Sequence, residues 1–321
     1  MKGKGARTAL AIVVSGGLLA WLLSRLELGP AFDRLSGADA RGFLLGGLLS
    51  LLVLLCRALR FSVLTRAAGL EVTAPAVAIQ VFLNRVTPFR LGEISLPLLL
   101  RRHAGEDFAS ALVGLVFVRL LDLSIVVWAI GLSLAAGPAG ASAPALVGGA
   151  LLLGILVATF RRWLGALVRL LRVLWGRLAG ERLPAVSRAL ERLAAATTEA
   201  RRLAGRDHAA LALTSVGIFL GQTAVFGTIL AAYGIRLPLL SLLRGGAVAQ
   251  AGAALPIAAV GTIGTHEASW VAGFVWVGLP LEEAIVTGVA AQLATLAYAA
   301  CFALLAWLWL SRRRPTAISS H

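Results

Sequence analysis

Long apolar runs separated by short polar segments dominate the chain. The runs at 8–23, 42–55 and 141–160 contain no charged residue, and about 20 apolar residues suffice for a helix to cross a ~30 Å hydrocarbon core. Because lipid offers the backbone no hydrogen bonds, a spanning segment must satisfy its own N–H and C=O groups, which favours helices. The pattern therefore predicts an all-α, polytopic membrane protein whose residues 1–321 form a single integral membrane domain.

Six apolar segments lack a central break, and we expect each to be a full span. They lie at about 7–26, 41–64, 108–135, 143–160, 208–233 and 284–310. Two further apolar segments, at about 74–100 and 239–279, are interrupted by polar residues, proline and glycine. We expect these two segments to be re-entrant helical hairpins, each entering and leaving the membrane on one side.

A weak internal similarity relates 41–135, the predicted first repeat, to 208–310, the predicted second repeat. Each reaches a proline, Pro88 or Pro256, and then glycine and glutamate. The predicted spans give the two repeats opposite orientations, an arrangement typical of alternating-access transporters with a site at the paired helix breaks. Chance similarity is the alternative, because proline, glycine and alanine are abundant in this chain.

The composition supports the membrane interpretation, and the distribution of the basic residues explains the high net charge without a nucleic-acid partner. Hydrophobic residues make up 59% of the chain, charged residues 14%, and the mean hydropathy is +0.88, whereas soluble domains are about a quarter charged. A net charge of +15 would suit nucleic acid, but the basic residues cluster between apolar runs, for example at Arg57/Arg60/Arg66. That distribution is typical of cytoplasmic loops. We expect no nucleic-acid partner, and a bacterial cytoplasmic membrane protein with both termini in the cytoplasm.

The longest basic stretch, at 161–206, alternates leucine and tryptophan with arginine at near-helical spacing. Such a pattern favours an amphipathic helix lying along the anionic inner leaflet, broken at Pro184. A solvated basic linker is the alternative.

Charged residues also occur inside the apolar segments, namely Arg85, Arg90, Glu93, Arg119 and Asp122. Each costs about 2.5–3.5 kcal/mol at the centre of a spanning helix, so such residues persist where they are paired, hydrated or functional. Two guanidinium groups beside a broken helix suit bidentate binding of phosphate. A structural charge network is an equally good interpretation of Asp122.

The candidate site collects the polar residues of the broken segments and of the helices that follow them. The predicted substrate-binding residues are Asn84, Arg85, Thr87, Arg90, Glu93, Arg119, Asp122, Gln250, His266, Glu267 and Gln292. The predicted helix-break residues are Pro88, Gly92, Pro256, Gly261 and Gly264. His266 has two interpretations, a proton carrier or a hydrogen-bonded interfacial residue.

The chain lacks the common signatures of enzymes. It has no phosphate-binding Gly-x-x-x-x-Gly-Lys-Ser/Thr loop, no His-Glu-x-x-His helix and no Gly-x-Ser-x-Gly elbow. Cys56 and Cys301 lie far apart in apolar segments, which indicates neither a disulfide framework nor a metal site. We expect no enzymatic activity, no cofactor and no catalytic or metal-binding residues.

Three motifs resemble the flippase-like family typified by the transmembrane region of lysylphosphatidylglycerol synthase. They are the segment at 84–93, the pair Arg119 and Asp122, and Pro256 followed by 261–267. The resemblance implies movement of a phospholipid or lipid-linked cargo, with arginines and glutamates at the broken helices engaging the headgroup. The aminoacyl transferase domain of the full-length synthase is absent from these residues, so lysyl transfer is not expected. Gln292 stands where many members have arginine.

The sequence thus favours a lipid flippase or scramblase that moves an anionic phospholipid or lipid-linked headgroup between leaflets. Aminoacylated phosphatidylglycerol, another anionic lipid and polyprenyl-phosphate sugars all remain open as cargo. The alternatives are a small-anion secondary transporter and a non-transporting accessory subunit that anchors a lipid-modifying enzyme. The expected partners are membrane lipids, the anionic inner leaflet and, for the last alternative, that enzyme.

Overall fold

The computed structural model describes residues 37–65, 68–87, 91–135, 165–176, 184–199, 205–254 and 264–313, with Gly148, Leu151 and Thr159. All regular structure in these ranges is helical. The helices are α1 (Ala40–Thr65), α2 (Leu70–Val86), α3 (Gly92–Ala104), α4 (Phe108–Ala135), α5 (Pro184–Glu199), α6 (Gly205–Ala232), α7 (Leu239–Ala254), α8 (Thr265–Trp276) and α9 (Leu281–Ser311). A further helical stretch covers 165–176.

Four helices in the described part of the chain are long and apolar enough to cross a membrane. These segments are Ala40–Thr65, Phe108–Gly131, Ala209–Ala232 and Leu281–Ser311, and they coincide with four of the six predicted spans. The predicted span at 7–26, and most of the one at 143–160, lie outside the described residues. The all-helical membrane architecture is therefore confirmed, whereas the number of six spans stays a prediction.

The outer surfaces of the long helices are apolar. Leu44 on α1, Leu213 on α6 and Leu304 on α9 expose 71%, 72% and 58% of their surface. In water such contiguous apolar area would drive association, whereas in a bilayer acyl chains cover it. The exposed leucines therefore agree with the predicted spans.

The two broken segments form two pairs of shorter helices, α2 with α3 and α7 with α8, and the helices of each pair contact each other. The remaining packing links the chain's two halves, α1–α4 (first half) and α6–α9 (second half). Helix α2 lies against α9, α7 lies against α4, and α1 lies against α6. The helices of each half therefore pack against helices of the other half.

Glycines allow the closest approaches within these helix pairs. A Cβ added to Gly92, at the start of α3, would lie 2.4 Å from the backbone nitrogen of Asn84 in α2. A Cβ added to Gly273 in α8 would lie 2.5 Å from the carbonyl oxygen of Gly245 in α7. Both neighbouring atoms belong to the backbone, so only glycine permits these contacts.

The basic stretch predicted at 161–206 contains the helical stretch at 165–176 and α5, which begins at Pro184 as expected for a break there. Leu170 and Leu174 are exposed beside the exposed Arg169 and Arg172, and α5 contacts α4. Contact between this stretch and the anionic inner leaflet stays a prediction.

Candidate functional site

A cavity of about 150 Å³ lies where six helices of the two halves meet. Its polar lining is Arg57, Arg60, Gln80, Asn84, Arg85, Arg119, Asp122, Ser215, Gln222, Gln250 and His266. The structure therefore brings together six of the residues that the sequence nominates for substrate binding. Those six are Asn84, Arg85, Arg119, Asp122, Gln250 and His266.

Arg60 and Asp122 form the most buried ion pair of the cavity. The guanidinium of Arg60 donates from Nη2 to Asp122 Oδ2 at 3.1 Å and from Nη1 to Asp122 Oδ1 and Ser215 Oγ, the latter at 2.9 Å. Arg60 exposes only 2% of its surface. Because removing one partner of such a pair leaves an uncompensated buried charge, these contacts join α1, α4 and α6 firmly.

Arg119 extends the charge network to the α2–α3 pair. Its Nη2 lies 2.9 Å from Glu93 Oε1, while its Nη1 lies 4.0 Å from Asp122 Oδ2 one helical turn away. Glu93 sits in the first turn of α3, where the helix dipole favours a carboxylate. The predicted interaction of Glu93 with an arginine is present, and it couples α3 to α4.

Arg85 connects the two halves across the cavity. It lies in the last turn of α2, and its Nη1 donates to Thr295 Oγ1 on α9 at 2.9 Å. The residue is half-buried and also lines the cavity. This guanidinium is thus held at the end of a broken segment, as the sequence predicts.

Arg57 and Arg60 are the functional candidates that sequence reasoning missed. The sequence counts them in a basic cluster at the end of the predicted span at 41–64 and does not nominate them for the site, whereas the structure places both in α1 and on the cavity wall. They were missed because the candidate site was drawn from the broken segments and the helices that follow them. The available signal was spacing, since residues three apart on a helix share a face.

The second half lines the cavity with neutral hydrogen-bonding groups. Gln250 Nε2 donates to Thr223 Oγ1 at 3.1 Å. His266 is 3% exposed and stacks on Trp270, with ring centroids 6.0 Å apart, while Phe226 packs edge-on against both rings. The second half therefore lines the cavity with packed aromatic rings and hydrogen-bonded amide groups.

Glu267 has a structural role in the described contacts. Its Oε2 accepts a hydrogen bond from Gly264 N at 2.7 Å, which caps the N-terminus of α8. Gly264 has φ 85°, a conformation that favours glycine. The carboxylate of Glu267 is thus directed at its own helix start, unlike that of Glu93.

Two further predicted substrate-binding residues, Thr87 and Gln292, do not line the cavity. Thr87 Oγ1 donates to Leu83 O at 2.7 Å and accepts from Gly92 N at 3.1 Å, so Thr87 ties the end of α2 to the start of α3. Gln292 is 4% exposed on α9. The other candidates, Pro88, Arg90, Pro256 and Gly261, lie outside the described residues.

The charges at the cavity favour an anionic occupant. Four guanidinium groups line it, and the carboxylates that the described ion pairs bring to them are those of Glu93 and Asp122. Arginine binds phosphate and carboxylate in a bidentate manner. Within the described residues, no cluster of three or more histidine, cysteine or acidic residues suits a metal ion. The arrangement therefore suits binding of an anion by arginine.

Comparison with known proteins identifies the family. The family model described as the lysylphosphatidylglycerol synthase TM region matches residues 8–303, which is most of the chain. No curated protein and no solved structure matches. The resemblance carried by the motifs at 84–93, at Arg119 with Asp122 and at 256–267 is thereby confirmed. The chain belongs to the lysylphosphatidylglycerol synthase transmembrane-region family of membrane proteins.

Proposed function

We propose that the chain is a lipid flippase or scramblase that moves an anionic phospholipid or lipid-linked headgroup between leaflets. The observation that supports this function most is the convergence of four arginines on one cavity between long apolar helices. Charged side chains within a bilayer are costly and mark transport pathways or binding sites. The family adds a connection to lipids.

In this mechanism the arginines bind the phosphate as the headgroup crosses the bilayer. Arg85 and Arg119 are positioned for it, since both line the cavity. Glu93 holds Arg119 at 2.9 Å and is displaced when the phosphate binds. The carboxylate then returns as the lipid leaves, so the site is not left with an uncompensated cation.

The contacts between halves support alternating exposure of this site. Each half supplies a helix pair whose first helix lies against the last long helix of the other half. If the paired segments are re-entrant hairpins in inverted repeats, rocking of one half against the other exposes the cavity to each leaflet in turn. The bacterial cytoplasmic membrane, with both termini in the cytoplasm, is the setting of this proposal, and no chemical step is involved.

Reconstitution into proteoliposomes tests the function. The initial rate at which a fluorescent phosphatidylglycerol becomes accessible from the outer leaflet is compared for the wild-type chain, Arg85→Gln and protein-free vesicles. A charge-assisted hydrogen bond contributes about 1.5–3 kcal/mol, so we expect Arg85→Gln to lower the protein-dependent rate by roughly tenfold or more. The matched control is Arg101→Gln, since Arg101 is exposed in the last turn of α3.

The outcomes separate the candidate functions. Wild-type vesicles that transfer no lipid faster than protein-free vesicles would contradict a flippase or scramblase. Uptake of free phosphate by the same vesicles would then favour a small-anion transporter, and co-purification of a stoichiometric enzyme would favour an accessory subunit. Equal lipid transfer by wild type and Arg85→Gln would instead contradict the assignment of the site.

A further inference from the structure

A second, smaller cavity adjoins the arginine-lined one. It has a volume of about 40 Å³ and lies between α1, α2, α6 and α9. The residues Arg57, Val81, Arg85 and Gln222 line both cavities. Two guanidinium groups therefore stand at the junction of the two spaces.

Both cavities mix polar and apolar side chains, and they differ in charge. Beyond the shared residues, the smaller one has no charged group in its described lining, where Val53, Leu54, Ala299 and Phe302 form an apolar wall beside Ser50, Thr295 and Tyr298. The larger one adds Arg60, Arg119 and Asp122. An apolar wall on one side of two arginines, and charged and amide groups on the other, match the order of parts in a phospholipid, with acyl chain, phosphate and headgroup in succession.

Arg57 differs from the neighbouring arginines in its contacts. Arg60 and Arg119 are held by carboxylates, and Arg85 donates to Thr295. In the described chain no carboxylate forms an ion pair with the guanidinium of Arg57. Its buried Nε also lacks a hydrogen-bond partner, as do those of Arg60 and Arg119. This half-buried cation therefore keeps its donors available for a ligand.

The larger cavity also contains buried polar atoms without partners in the described structure. Gln80 Nε2 and His266 Nδ1 have none, and the two residues expose 4% and 3% of their surface. Buried polar groups are normally hydrogen-bonded, so unpaired ones that line a cavity indicate a polar occupant. Amide and imidazole groups suit hydroxyls, which both donate and accept.

We propose that Arg57 and Arg85 form the phosphate subsite for a phosphodiester lipid whose small, uncharged, hydroxylated headgroup occupies the larger cavity. The glycerol backbone and the start of an acyl chain enter the smaller cavity. This proposal rests on the proposed function and specifies its cargo. Its central new element is Arg57, which the sequence motifs do not include.

Hydrogen-bonding groups and charge define the headgroup. The larger cavity, of about 150 Å³, presents the unpaired Gln80 Nε2 and His266 Nδ1 to it, which suits a hydroxylated headgroup such as glycerol. Four guanidinium groups occur in the described lining of the cavity, against the one carboxylate of Asp122 there, while Glu93 and Glu267 lie close enough to interact with Arg119 and Arg85. A cationic headgroup is therefore disfavoured, and lysyl-phosphatidylglycerol should bind less tightly than phosphatidylglycerol.

Equilibrium binding tests the subsite without requiring transport. Native mass spectrometry of the full chain in detergent measures occupancy by phosphatidylglycerol, lysyl-phosphatidylglycerol and free glycerol phosphate. We expect phosphatidylglycerol to bind at least tenfold more tightly than either of the others. Arg57→Gln should weaken its binding about tenfold, whereas Arg41→Gln, at an exposed position of the same helix, should leave binding unchanged.

Each outcome decides one question. Equal phosphatidylglycerol binding by wild type and Arg57→Gln overturns the subsite, and preference for the lysyl lipid overturns the proposed cargo. Glycerol phosphate binding as tightly as the lipid overturns the role of the smaller cavity. If Arg57→Gln does not fold, Arg57→Lys keeps the charge without the bidentate fork, and unchanged binding by that variant also counts against the subsite.

Failure of this inference differs from failure of the proposed function. Wild-type vesicles that transfer no lipid, while purified protein still binds phosphatidylglycerol through Arg57, contradict transport alone. Vesicles that transfer phosphatidylglycerol equally well with Arg57→Gln and with wild type contradict the subsite alone.

Discussion

The two halves of the protein contribute similar helices to the cavity and different chemistry. In the lining that the structure describes, the charged residues all come from the first half, whereas the polar groups of the second half are hydroxyl, amide and imidazole; the charged residues are Arg57, Arg60, Arg85, Arg119 and Asp122. Yet α1 with α6, and α2–α3 with α7–α8, occupy corresponding places in the packing. In the proposed function, the helices of the first half therefore bind the anion, whereas the corresponding helices of the second half line the cavity with neutral polar and aromatic side chains.

The two glutamates at the helix breaks also differ between the halves, in the groups that they contact. Glu93 and Glu267 each lie in the first turn of the second helix of a pair, and the sequence assigns both to substrate binding. Glu93 bonds to Arg119, whereas Glu267 bonds to the backbone of Gly264. A matching position in the sequence therefore does not imply a matching role.

The largest expected effect comes from breaking the charge network of the first half. Asp122→Ala leaves Arg60, which is 2% exposed, without its carboxylate. We expect the free energy of unfolding in detergent to fall by about 3–5 kcal/mol. Thermal or denaturant unfolding measures it, with Glu282→Gln, an exposed acid at the start of α9, as the control.

The double variant Arg60→Met/Asp122→Ala sharpens this prediction. Replacing both charges with apolar groups removes the unpaired cation, so we expect most of the stability to return. If Asp122→Ala and the double variant are equally stable, the Arg60–Asp122 pair is not the cause of the loss.

An intermediate effect is expected from the close packing of the second half. Gly273→Ala places a methyl group 2.5 Å from the carbonyl oxygen of Gly245, and overpacking costs about 1–3 kcal/mol. Gly217→Ala is the matched control, because a Cβ at Gly217 meets nothing within 4 Å and alanine favours a helix by roughly 0.5–1 kcal/mol. Equal stability of the two variants would show that α7 and α8 do not pack this closely.

The smallest expected effects are on the rate of lipid transfer, and they distinguish the role of Glu93 from that of Glu267. Glu267→Gln retains an oxygen that accepts from Gly264 N, so we expect its rate of lipid transfer to stay within about twofold of wild type. Glu93→Gln removes the charge that holds Arg119, and we expect transfer to fall roughly tenfold, equivalent to about 1.4 kcal/mol. Rates measured in matched proteoliposomes compare the two. Equal losses would restore the symmetric roles that the sequence assigns.

Much of the membrane fold follows from the sequence because apolar length and helical structure are directly linked in lipid. The spans at 41–64, 108–135, 208–233 and 284–310 coincide with α1, α4, α6 and α9. The order of the motifs also identifies the family, as the match to residues 8–303 confirms.

The sequence alone could not predict all of the residues that line the cavity or the partners of its charged side chains. Arg57 and Arg60 resemble arginines that flank a span when only local charge is considered, and their position on the cavity wall depends on how α1 packs against α4 and α6. The partner of Asp122 is 62 residues away on α1, a tertiary contact that spacing does not encode. The same holds for the contact of Arg85 with Thr295, which joins the two halves.

The most direct test locates the phosphate of a bound anionic lipid. An electron cryomicroscopy structure of the full chain with phosphatidylglycerol in a lipid nanodisc shows where that phosphate lies. We predict phosphate density between the guanidinium groups of Arg57 and Arg85, within hydrogen-bond distance of both. Ordered lipid phosphates found solely at the headgroup level of the bilayer, with the arginine-lined cavity filled by water, would contradict the account.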